Sequence, residues 1–206
     1  MLTKLFAGAA AVAVVAFLGW SLRDIVLKQA ADPFADCRSS AVSGAAQIGG
    51  PFSLTDQSGK PFTDQDLAKG PALVYFGYTF CPDVCPLDNA RNAEAIDILQ
   101  QKGFDVTPVF ITIDPERDTP EMLADFAASM HPKMIGLTGT PEQIRVAANA
   151  YKAYYKKQDT KDQFYMMDHS TFSYLMLPNL GFAEFFTRDD TAEQIAKGTA
   201  CFLEKS

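Results

Sequence analysis

The sequence predicts an α/β domain built from a βαβ unit, an inserted βα pair, an antiparallel β-hairpin and a closing helix. Three observations carry this reading. Residues 72–80 and 106–113 are apolar runs without alternation, with Leu73, Val74, Tyr75 and Phe76 in the first and Val109, Phe110, Ile111 and Ile113 in the second. Such runs mark strands buried on both faces, as in a parallel sheet. Between them, Leu87, Ala90, Ala93, Ile96 and Leu99 recur at helical spacing before Gly103, which makes residues 86–101 a helix with a glycine stop. Near the C-terminus, residues 172–177 and 182–187 are joined only by Pro178-Asn179-Leu180-Gly181, a turn by composition and too short to join parallel strands.

The remaining elements follow in chain order. Phe52-Ser53-Leu54 and Pro61-Phe62-Thr63 flank Gln57-Ser58-Gly59-Lys60, the pattern of a short hairpin. Thr119-Pro120-Glu121 and Thr140-Pro141-Glu142 are helix starts, with proline at the first helical position. The first of these helices is expected to end at Met130 and the second at about Lys156, with a short strand at 134–137 between them. A final helix is expected over 191–204. Without the inserted βα pair, the order is that of the thioredoxin fold, so residues 51–206 are expected to form a thioredoxin-like domain.

Composition bounds the rest. A chain of 206 residues, 48% hydrophobic and 21% charged, has the composition of an ordinary globular protein and is long enough to bury a core without disulfides or metal. Its net charge of -7 gives no electrostatic reason to bind nucleic acid. From Leu5 to Leu22 the chain is almost wholly apolar and uncharged, and as a helix this stretch spans roughly 27 Å, close to a bilayer core. Gly19-Trp20-Ser21 has the small-x-small spacing of a signal-peptide cleavage site, but an uncleaved single transmembrane helix is the favoured reading. Residues 1–27 are therefore expected to anchor the chain, 28–50 to be a linker, and the domain to lie outside the cytoplasm.

The chemistry centres on Phe80-Cys81-Pro82-Asp83-Val84-Cys85-Pro86. The pair follows the first long strand, at the carboxyl end where open α/β sheets build their sites. With Pro86 at the first helical position, Cys85 is expected at about the N-cap, where the helix dipole favours thiolate. A disulfide across so short a loop would staple almost nothing. Thioredoxin-type oxidoreductases place two residues between their cysteines; here there are three, which leaves room for an ion. There are only two histidines. His131, just past a helix end, reads as a surface residue satisfying helix carbonyls. His169, immediately before the hairpin, is on a loop expected to face the cysteines and is the candidate third ligand. Two sulfurs and an imidazole suit Cu(I), and also copper(II) with an added oxygen ligand, whereas structural zinc wants a fourth protein ligand. Asp114 and Asp168 are candidates to support the ligands; Asp114 and Asp118 are equally readable as turn and helix-cap residues. Met166 and Met167 read as packing residues.

Phe76-Gly77-Tyr78-Thr79-Phe80-Cys81-Pro82-Asp83-Val84-Cys85-Pro86, Asp114-Pro115-Glu116-Arg117-Asp118 and Asp168-His169-Ser170 together resemble the Sco/SenC family. The resemblance covers roughly residues 52–202. It implies a membrane-tethered thioredoxin-like protein that assembles the binuclear copper site of cytochrome c oxidase subunit II. It implies Cys81, Cys85 and His169 as ligands to one copper ion. It also implies a bacterial inner-membrane location, a domain in the periplasm, and a periplasmic copper donor. A copper chaperone is the leading expectation. The alternative is a thiol–disulfide oxidoreductase acting on the oxidase cysteines, which would use Cys81 and Cys85 but not need His169. The segment 168–173 lacks the proline that thioredoxins carry there, which favours metal. A peroxidase reading is weaker, because the double-cysteine loop does not suit it. Cys37 and Cys201 remain; in an oxidising compartment the economical reading is a structural disulfide, the alternative being that each is a free cysteine.

Overall fold

The computed structural model describes residues 14, 16–23, 33–38, 48–159 and 164–206. The expected anchor and linker lie largely outside the described residues. Residues 16–23 are helical and mostly exposed, and among the described residues no helix is long and apolar enough to cross a membrane.

The chain runs β1 (Ser53–Asp56), β2 (Pro61–Thr63), α1 (Asp64–Leu67), β3 (Ala72–Gly77), α2 (Val84–Gln101), β4 (Thr107–Thr112), α3 (Pro120–Met130), β5 (Ile135–Thr138), α4 (Pro141–Ala150), β6 (Tyr155–Lys157), β7 (Met167–His169), β8 (Ser173–Leu177), β9 (Gly181–Phe186) and α5 (Ala192–Glu204). Seven strands form one sheet in the order β2-β1-β5-β4-β3-β8-β9. β3 pairs parallel with β4 and antiparallel with β8, and β8 pairs antiparallel with β9. This is the expected thioredoxin-like order, with β5 added parallel beside β4 and the β1–β2 hairpin beyond it.

Every residue of β3 is buried, as its unbroken apolar run requires. On one face Leu73 and Leu175 pack with Ile96 and Leu99 of α2 and with Ile195 and Phe202 of α5. A second, larger cluster joins Val74, Phe76 and Phe110 to Leu123 of α3 and Ile144 of α4. The three Thr-led helix starts behave as the sequence indicates. Thr119, Thr140 and Thr191 are N-caps, each accepting a hydrogen bond from a backbone N–H of the first turn.

Three expectations are corrected. The helix from Pro141 stops at Ala150 and not near Lys156, because Lys152 takes a left-handed φ of 56° and turns the chain into β6. β6 then pairs antiparallel with β7, placing Tyr155 opposite His169. This two-stranded arm is a separate sheet, so His169 ends a short strand rather than sitting in a loop. His131 is buried, not on the surface. It ends α3, its Nδ1 accepts from the Lys133 amide at 3.1 Å, and its Nε2 lies 3.4 Å from Asp97.

Candidate metal centre

The cysteine loop leaves β3 at Gly77. A Cβ at that position would stand 2.9 Å from Tyr75 Cε1 and 3.0 Å from Cys85 Sγ, so only glycine lets the strand end pass beneath the second sulfur. Asp118 holds the loop from the other side. Its buried carboxylate accepts from the Thr79 amide at 3.0 Å, the Thr79 hydroxyl at 2.6 Å and the Thr112 hydroxyl at 2.6 Å. Asp118 is therefore a loop anchor, and the cap of α3 is supplied by Thr119.

α2 begins earlier than its prolines indicate. The N-cap is Asp83, so Cys85 lies in the first turn and Pro86 one residue further on, where a missing N–H loses no intrahelical bond. The consequence is electrostatic. The Cys85 amide is one of the unpaired N–H groups of the helix start, and it points at Cys81 Sγ, 3.3 Å away. The helix terminus thus favours a thiolate on Cys81 rather than on Cys85. A hydrogen bond from the Cys85 thiol, with further bonds from the Cys85 and Asp83 amides, brings Cys81 down to about 4 despite its burial. The same thiol–thiolate bond, together with complete burial, pushes Cys85 up. The metal-free pair is one thiolate and one thiol that donates to it.

The arm brings in the third group. His169 Nδ1 lies 2.8 Å from the Ser170 carbonyl oxygen. That oxygen can only accept, so Nδ1 carries the proton and the Nε2 lone pair is free. Nε2 lies 3.5 Å from Cys85 Sγ. Cys81, Cys85 and His169 place their ligand atoms within 4.8 Å of one another. The rings of Tyr75 and Tyr78 stand edge-on to the imidazole at 6.2 and 5.9 Å, closing it in with apolar surface. Two soft sulfurs and a tautomerically set imidazole make a donor set for a soft ion, and loading it would displace the Cys85 proton.

The other sequence candidates fall elsewhere. Asp168 is exposed and bonds Gln158 at 2.7 Å; as a strand neighbour of His169 it points to the opposite face. Asp114 is buried, and its carboxylate is taken up by Arg117 and by the Tyr165 hydroxyl at 2.8 Å. Met167 is buried, as a packing residue should be, whereas Met166 is partly exposed and its sulfur lies 3.8 Å from the Tyr78 hydroxyl. Sequence reasoning missed Tyr75, Tyr78, Arg117 and Tyr165 as neighbours of the site. Arg117 was visible only as a charge within an acidic turn, and Tyr165 carried no signal at all.

Comparison with known proteins gives a consistent picture. The family model described as SCO1/SenC matches residues 40–204. Protein SenC of Rhodobacter capsulatus is 51% identical over 202 residues, which is 98% of this chain and 91% of that protein. Among solved structures, Arabidopsis thaliana ScoI with copper bound has a TM-score of 0.74 and 41% identity, covering 77% of this chain and 99% of the other. Bradyrhizobium japonicum ScoI with copper bound has a TM-score of 0.68 and 41% identity, covering 74% of this chain and 98% of the other.

Proposed function

Because the chain belongs to the SCO1/SenC family, we propose that it is a copper-binding metallochaperone that delivers copper to the binuclear site of cytochrome c oxidase subunit II. The observation that carries this is the convergence of Cys81, Cys85 and His169 within 4.8 Å, on a fold shared with relatives solved with copper bound. One ion per chain is held by both sulfurs and by His169 Nε2. The site is buried at its sulfurs yet built at the end of the sheet on a loop and a slender arm, so it combines retention with access for an acceptor. The Leu5–Leu22 stretch anchors the chain in the bacterial inner membrane, with the domain in the periplasm, where a copper donor loads it and the Cys37–Cys201 disulfide survives.

A second reading has its own observation, the thiolate–thiol polarity of the pair. The Cys81 thiolate would attack a disulfide of the target, forming a mixed disulfide and releasing one target thiolate. Cys85, passing its proton to that leaving sulfur, would then displace the second. The target ends as a dithiol and Cys81–Cys85 as a disulfide.

Copper analysis of the purified, reduced full chain decides between them. One copper per chain is expected, with a sharp loss of affinity in His169→Ala and unchanged far-ultraviolet circular dichroism. Equal affinity in His169→Ala and the parent would remove the three-ligand site and leave the thiol chemistry as the surviving account.

A further inference from the structure

His169 is the one candidate ligand that the main sheet does not place. It ends β7, on an arm hydrogen-bonded only within itself as a sheet. The bonds at its base, Ser170 N–H to Tyr154 O at 3.0 Å and Tyr154 N–H to the Ser170 hydroxyl at 3.1 Å, hold the two strands to each other. They do not fix the arm against the cysteines.

A second set of contacts does. Tyr165 lies just before β7. The Arg117 guanidinium sits over its ring at 3.6 Å and the Lys157 ammonium at 3.8 Å. Its hydroxyl reaches Asp114 at 2.8 Å and Glu116 at 3.3 Å. Asp114 in turn pairs with Arg117, and Glu116 with Lys157 at 2.8 Å. Residues 114–117 follow directly from β4, a central strand, so this side of the contact is rigid. The same guanidinium lies over Phe80 at 4.9 Å and Tyr78 at 5.7 Å. Phe80 immediately precedes Cys81, and Tyr78 is edge-on to His169. One planar cation therefore touches both halves of the site, the cysteine loop and the histidine arm. Among the described residues its Nη2 is buried without a hydrogen-bond partner. Guanidinium, weakly hydrated and able to stack, tolerates that position where an ammonium would not.

We infer that Arg117, Asp114 and Tyr165 form a latch that closes the His169 arm onto Cys81 and Cys85 and sets how firmly copper is retained. They are positioning residues, not ligands. The inference rests on the copper reading above. With the latch made, the ion is held by three donors; without it, His169 is presented by a two-stranded ribbon of three residues a side, which has little stability of its own.

Tyr165→Phe tests this in the full chain, since it keeps the ring under Arg117 and removes only the hydroxyl. Loss of a hydrogen bond to a charged group should speed Cu(I) release to an excess chelator about tenfold. In the metal-free protein, amide hydrogen exchange should rise at 155–157 and 167–169 while β3 and β4 keep their protection. Lys157→Gln, an exposed substitution, should act in the same direction more weakly. In a His169→Ala background Tyr165→Phe should change release no further, because the arm then carries no ligand. Release at the parent rate, or an equal acceleration with and without His169, overturns the latch. If the parent and His169→Ala release copper alike, it is the copper reading that fails. The exchange measurement needs no metal and still decides: unchanged protection of the arm overturns the latch by itself.

Discussion

Cys81 illustrates how one hydrogen bond divides the work between two like side chains. An ordinary cysteine titrates near 8.5. In the metal-free fold, the Cys85 thiol and nearby amides lower Cys81 to about 4, and burial with the same hydrogen bond raises Cys85. The two shifts act on stability in opposite directions. Cys81, depressed when folded, contributes stability that is complete above its unfolded value and is lost as pH falls towards about 4. Cys85, raised when folded, contributes stability that is present below its unfolded value and is lost as pH rises beyond it. The urea midpoint of the reduced, metal-free protein should therefore rise from acid towards pH about 8 and decline above it. Alkylation should be confined to Cys81, at a rate nearly independent of pH between about 6 and 8, since the thiolate is already formed there. A rate climbing tenfold per pH unit over that range, as for a free thiol, would contradict the assignment. The thiolate was legible in the sequence as a cysteine pair at a strand-to-helix junction. Which sulfur carries the charge was not, because that turns on the helix starting after Asp83 instead of at Pro86.

At the scale of elements, the site is held by what fixes the ends of strands and loops. Asp118 ties the cysteine loop at Thr79 to the end of β4 at Thr112, while its own carbonyl accepts from Thr138 at the end of β5. Asp118→Ala would leave an amide and two hydroxyls without their acceptor in a buried place, a loss of about 3 kcal/mol or more. The measurement is the urea midpoint of the reduced protein, and a change under about 0.5 kcal/mol, typical of surface substitutions, would show that Asp118 anchors nothing. The regular elements were readable wherever the chain offered enough residues to show a period or a cap. β3 and β4 announced themselves by largely apolar runs without alternation, and α3, α4 and α5 by threonine caps. The β6–β7 arm did not. Its strands have three residues each, too few for alternation to be recognised. The sequence leading into it, Ala148-Asn149-Ala150-Tyr151-Lys152-Ala153-Tyr154, has neither glycine nor proline to end a helix. The left-handed turn at Lys152 is a tertiary choice, stabilised by pairing with β7, and it relocates His169 from a loop to a strand.

Across the whole molecule, the metal centre and the disulfide occupy opposite ends. β9 runs in the same direction as β3, since both are antiparallel to β8, so β9 ends at the edge where Cys81 follows β3. α5 starts from that edge and runs back, as the bond from Arg91 in α2 to the Arg188 carbonyl indicates. Cys201, in the last turns of α5, is thereby carried to the far end, where it bonds Cys37 across 164 residues of sequence. Around that bridge Phe34 stacks on Phe202 at 5.4 Å, Arg38 donates to the Ala183 carbonyl, and Lys205 lies 3.5 Å from Asp36. The segment before the domain is thus fastened to the last helix at a point remote from the sulfurs that bind metal. Closing a loop of this length restricts the unfolded chain by roughly 5 kcal/mol at most. Replacing both cysteines by alanine, which leaves no stray thiol to pair with Cys81, should lower Tm by about 10 °C in a chain of this size. Copper stoichiometry and the effect of His169→Ala should stay as in the parent, because the bridge and its described neighbours lie at the opposite end of the sheet from the ligands. An unchanged Tm would show that the bridge constrains little beyond its local contacts. Loss of copper in the double variant would mean that the two ends of the sheet are coupled, and that the disulfide is part of the site's support.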